Sequence, residues 1–197
     1  MEHDSDFERV PASGPAEASG HTPRLWITGN FAEHWFRDAK EESGVRSDWN
    51  ARRREILFAV CCAESYIVEW TRDIVGNGAT LDKYLLRGER RRERTLLKKW
   101  KKIPRKLFSN GLISGVPDWS DQLWCEWKRL VEMRNELVHA RTARPYTGEK
   151  GAKEPRPTRG DLDQLQGGWA SDVVSSLIKR LNTSAGLQSP SWVSTAG

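Results

Sequence analysis

Asp48 to Val75 is the stretch that most restricts the fold. Ile56, Val60, Ala63, Ile67, Trp70 and Ile74 follow one another at three- or four-residue steps, which is the seam of an antiparallel helical bundle. Ser47 or Asp48 can cap its start by accepting backbone N–H groups, and Gly76-Asn77-Gly78 stops it. Nowhere does a run of strand length alternate apolar and polar residues. The expected fold is therefore all-α: an antiparallel bundle of four long helices with one short N-terminal helix.

The other helices follow from the same spacing rule. Asn30 with Glu33 makes a capping-box-like start for the short helix, which runs to about Glu42 with Phe31, Trp35 and Phe36 as its apolar side. His34 in it reads as a surface histidine. Thr80 opens the second long helix, with Leu81, Leu85, Leu96, Leu97, Trp100 and Ile103 apolar and an end before Pro104. Arg90 to Arg94 contain no apolar residue, so that turn is fully solvated or the helix breaks there. The third long helix spans Trp119 to Arg144, with Asp118 and Asp121 at its start and Pro145 ending it. A polar loop, Tyr146 to Pro157, then leads to Thr158, the cap of a last helix carrying Leu162, Leu165, Trp169, Val173, Leu177 and Leu181. Gly167-Gly168 falls inside that helix at a cost of roughly 2 kcal/mol against alanine, which implies close packing or a kink.

Composition bounds the rest. Residues 1–23 are rich in Pro, Gly, Ser, Ala and Glu and are expected to be a disordered tail, as is 184–197. Between them, 24–183 make one helical domain whose bundle core covers about 48–182. No segment approaches the roughly 18 apolar residues of a membrane helix. Met1 to Glu8 is acidic and has no apolar signal core, so a cytoplasmic, membrane-free protein is expected. Cys61, Cys62 and Cys125 form no Cys-x-x-Cys pair and read as reduced thiols. The net charge of +5 is concentrated: Arg87 to Lys106 hold eleven Lys/Arg against two Glu, leaving the remainder net acidic.

One helix carries the candidate chemistry. Leu123, Trp127, Leu130 and Leu137 form the buried stripe of the third long helix, and Arg134 falls on or beside it. Asn135 and His139 are four apart and share the next face. Arg134 and His139 are separated by roughly 7.5 Å of rise and about 140° of rotation, a gap that a guanidinium stem can span. Histidine exchanges protons near neutral pH and arginine offers a fork of donors to phosphate oxygens. Together they suit cleavage of RNA by its own 2′-OH, with Asn135 holding the ring tautomer or a phosphate oxygen. No Asp/Glu/His cluster has ligand spacing, so neither a metal nor another cofactor is expected.

Arg134-Asn135-Glu136-Leu137-Val138-His139, in the third long helix of an all-helical chain, resembles the HEPN superfamily (higher eukaryotes and prokaryotes nucleotide-binding). That family's signature is Arg, four to six residues, then His, often with a polar residue directly after the Arg. The resemblance covers about residues 48–182. It implies a metal-independent endoribonuclease leaving a 2′,3′-cyclic phosphate and a 5′-hydroxyl, acting as a homodimer with two motifs facing one cleft. It also implies a toxin or defence effector held in check by a separate antitoxin or nucleotidyltransferase partner. The segment Ala63 to Glu69 is similar to the family's first helix, and Glu64 would be an accessory residue orienting Arg134 or His139. Arg90, Arg91, Arg92, Arg94, Lys98, Lys99, Lys101 and Lys102 would attract the RNA backbone, with Trp100 as a stacking platform. The exposed flank formed by Trp124 and Val131 would be the dimer surface. Two other classes stay open: a non-catalytic HEPN-like module binding RNA, nucleotide or a protein partner, and a membrane-surface protein using Lys98 to Lys106 with Trp100 and Ile103.

Overall fold

The computed structural model describes residues 31–44, 48–85, 95–138, 162 and 164–194. Among these there are seven helices and no strand: α1 Phe31–Gly44, α2 Trp49–Val75, α3 Ala79–Tyr84, α4 Leu96–Ser109, α5 Gln122–Val138, α6 Trp169–Ala185 and α7 Ser191–Ser194. The all-α expectation holds. Expectations placed on 1–30, 86–94 and 139–161 lie outside the described residues.

The long α2 is the axis. Asp48 has an extended backbone and its Oδ1 accepts from the Asn50 N–H at 3.1 Å, satisfying a first-turn donor. Ile56, Val60, Ala63, Ile67 and Trp70 are all buried along it, as their spacing requires. Helix α1 lies against α2, with Trp35 stacked on Phe58 at 5.6 Å between ring centres. The cap of α1 comes from α2: Glu69 Oε1 accepts from the N–H groups of Phe31 and Ala32 at 3.0 and 3.2 Å. Burial nevertheless pushes the Glu69 carboxyl above its ordinary range, those two hydrogen bonds opposing the shift.

The aromatic core gathers round Trp100. It is fully buried, with Tyr66, Trp119 and Trp127 at 6.5, 6.3 and 5.9 Å. A base cannot stack on it, so the expected platform role is corrected: its 3.6-residue register turns it to the core with Ile103 and Leu107. The same burial of Trp100 and Ile103 takes away the apolar anchors of a membrane-surface patch on this helix. Helix α4 also runs through Pro104 and on to Ser109. An interior proline costs about 3 kcal/mol. The buried stripe of Trp100, Ile103, Pro104 and Leu107 packs the helix on both sides of it. Thr95 is extended, so α4 starts afresh there and is not a continuation of α3.

Two further expectations change. Gly167-Gly168 precedes α6 and does not lie within it. Gly168 sits at φ 91°, a left-handed backbone that suits glycine, and a Cβ at Gly167 would come 2.5 Å from the Arg52 guanidinium and 2.7 Å from the Ser43 carbonyl oxygen. That close approach seats the start of α6 on a buried carboxylate. Glu55 accepts from the N–H groups of Gly168, Ala170 and Ser171 at 3.3, 3.1 and 3.4 Å, and from Arg52 Nη1 at 2.7 Å. A charge 1% exposed is thus matched by a guanidinium and a helix N-terminus.

Residues 184–194 are packed, correcting the expectation of a disordered tail from Ser184. Gly186 (φ 75°) closes α6, and the Leu187 N–H donates to the Asn182 carbonyl at 2.9 Å. Beyond it Val193 is fully buried, its carbonyl accepting from Ser175 Oγ at 3.3 Å. Trp192 lies 5.2 Å from Phe36 and 6.0 Å from Tyr66. A short apolar pair flanked by polar residues carries no periodicity, so its packing is not legible in the sequence.

Candidate functional site

Helix α5 begins at Gln122 and not at the expected Trp119: Asp118 Oδ1 holds a turn through the Ser120 N–H, and Asp121, just before the helix, accepts from the Trp124 N–H at 3.3 Å. Trp127 and Leu130 are fully buried, with Leu123 and Leu137 packed against the core at the edges of the stripe. This places Arg134 half-buried, its side chain 23% exposed, beside α2 as its register predicts. Asn135 is half-buried next to it. His139 follows Val138, the last described residue of the helix, and lies outside the described residues, as do Arg90, Arg91, Arg92 and Arg94.

Glu64 of α2 meets Arg134. Its Oε2 lies 3.7 Å from Arg134 Nη2, and its Oε1 lies 3.8 Å from Lys99 Nζ of α4. One carboxylate therefore joins three helices. Cys61, one turn before Glu64, is near enough to feel both charges. Burial raises its thiol pKa, Arg134 pulls it down and Glu64 pushes it up. Of the basic run, Lys101 covers the Trp124 ring at 4.8 Å, while Lys98 is half-buried and Lys102 exposed. Of these lysines, Lys99 is the one brought to Arg134, through Glu64, while Lys101 lies toward the start of α5. Neither Cys61 nor the pairing of Lys99 with Arg134 is among the residues that sequence reasoning picks out. Helical spacing places Cys61 and Glu64 on one face of α2, but nothing in it says which neighbour that face meets.

The expected dimer flank is corrected. Trp124 and Val131 are each only 5% exposed. Trp124 packs 5.1 Å from Trp119 and under Lys101, so both side chains belong to the core of the same chain.

A separate cleft of about 410 Å³ opens between α2 and the chain after α6, lined by Tyr66, Glu69, Trp70, Asp73, Asn182 and Trp192 among others. Asn182 donates to the Tyr66 hydroxyl oxygen at 2.6 Å. Burial lifts that hydroxyl to about 12, with the Asn182 bond working against the rise. None of the candidate residues lines this cleft. Among the described residues, no group of three or more His, Cys, Asp or Glu is placed to hold a metal ion, and no helix is long and apolar enough to cross a membrane.

No protein-family model, no curated protein and no solved structure matches this chain.

Proposed function

We propose that this chain is a metal-independent endoribonuclease of HEPN type, its four longest helices after α1 forming that family's antiparallel bundle. The observation that carries the reading is the convergence of Arg134 with Lys99 on Glu64, which brings a cation of the motif helix and a cation of the basic helix to one anion. RNA lies along α4 by its phosphates, whose attraction needs no base sequence. Arg134 grips the reacting phosphate through its planar fork and offsets the charge that builds on the pentavalent centre. His139, one and a half turns on, takes the 2′-OH proton. The oxygen then attacks phosphorus and the 5′-oxygen leaves with a proton from an acid, giving a 2′,3′-cyclic phosphate. In a homodimer the second His139 supplies that acid.

Incubating the purified chain with single-stranded RNA in excess EDTA tests this. Cleavage to a cyclic-phosphate end that disappears in His139→Ala supports it; intact RNA in the wild-type reaction removes it. A second reading has its own observation. Arg134 and Lys99 already share an ion-pair partner within the chain, Glu64, as in a module that binds RNA, nucleotide or a protein without cleaving. Binding that survives His139→Ala with no product favours that module.

A further inference from the structure

Arg134 and Lys99 are the built part of this constellation, and Glu64 is its loose part. The two cations project from different helices and are 23% and 18% exposed, whereas the carboxylate between them is 49% exposed. Each approach uses a different oxygen and is longer than a hydrogen bond. Among the described residues, neither cation head donates a hydrogen bond to a protein acceptor. The fork and the ammonium therefore flank an anion seat that a half-exposed carboxylate, 3.7 and 3.8 Å away, fills without a hydrogen bond. A phosphodiester has the same charge as Glu64, and its two non-bridging oxygens can face two cations as the Glu64 oxygens do.

We infer that Glu64 is an internal stand-in for phosphate: it occupies the anion seat between Lys99 and Arg134, and a nucleic-acid phosphodiester must displace it to bind. This rests on the reading of Arg134 as a phosphate clamp and adds to it a built-in brake. The carboxylate cancels one of the two positive charges at the seat in the absence of RNA, so weakly held anions are rejected. An orienting role for Glu64 predicts the opposite sign, since removing an orienting group weakens binding.

The test uses single-stranded oligothymidylate, which lacks the 2′-OH and so reports binding apart from cleavage. Fluorescence anisotropy compares the wild type with Glu64→Gln, an isosteric change at an exposed side chain. Glu132→Gln adds the same unit of charge on the far side of α5, where the residue is exposed. Glu64→Gln should tighten binding at least threefold and steepen the salt dependence by about 0.7 log units per decade for each further phosphate it neutralises, with Glu132→Gln close to wild type. In an Arg134→Ala background the tightening should vanish, because the seat has lost one wall. Equal or weaker binding by Glu64→Gln, or a tightening that persists in Arg134→Ala, overturns the inference. If Arg134→Ala and Lys99→Ala both bind as well as wild type, the clamp itself falls, and the reading beneath the inference goes with it.

Discussion

Arg134 is a charge held at the margin of a buried stripe, and its surroundings set what substitutions there should do. Lysine keeps the charge but loses the fork, so Arg134→Lys should remain folded by circular dichroism and still lose RNA cleavage. Arg134→Ala, His139→Ala and the double variant should lose similar amounts, on the order of a hundredfold to ten-thousandfold each, because the two residues serve one transition state. Thiol chemistry offers an independent view of the same place. Cys125 is exposed, Cys61 is half-buried beside Arg134, and Cys62 is fully buried with its pKa driven far up by burial. Labelling with iodoacetamide should therefore run in the order Cys125, Cys61, Cys62, read by mass spectrometry. Bound oligonucleotide should slow the Cys61 step alone, and protection spread over all three thiols would argue against a site beside Cys61.

At the scale of elements, helix starts here are tied down by carboxylates borrowed from α2. Glu69 serves α1 and Glu55 serves α6. Glu55→Ala removes a buried carboxylate that accepts from Arg52 and from three N–H groups at the start of α6, so it should destabilise the fold by roughly 3–5 kcal/mol in urea titration. Glu69→Ala should cost only about 1 kcal/mol, the ordinary worth of a cap. Helices α5 and α6 are joined at the surface by the Arg180 hydrogen bond to Asp121, which holds that carboxyl below its usual range. A lowered folded-state pKa means the unfolded chain binds the proton more tightly. This contribution is therefore present above the ordinary carboxylate pKa and lost as pH falls through the lowered one. Asp121→Asn should lower the neutral plateau slightly and leave stability at low pH unchanged, so that the acid limb of the curve flattens.

Over the whole molecule, the chain after α6 acts as a clasp. Val193 and Trp192 bring it back onto α1, α2 and α6. Trp192→Ala should cost about 2–3 kcal/mol, less than the full loss of a buried aromatic because Trp192 is only half-buried. A thermal midpoint unmoved by that change would show the clasp to be decorative. Charge is just as unevenly spread: cations line α4, while the cleft beside the clasp holds Glu69 and Asp73. RNA affinity should fall with salt by about 0.7 log units per decade for each phosphate bound.

Periodicity alone settled the helical class, the seam of α2 and the half-buried position of Arg134, because which residues share a helix face is a local property of backbone geometry. The same reasoning offered Asp48, with Ser47, for the start of α2, but began α5 at Trp119, three residues before its observed start at Gln122. Only tertiary structure decided that Trp124 and Val131 face inward, that α4 continues through Pro104, and that Gly167 must be small to admit Arg52. It alone joined Glu64 to both Lys99 and Arg134. Each of these depends on which helix packs against which face. The spacing of one segment holds no information on its neighbour, and packing free energy outweighs the local cost of a proline or a buried charge.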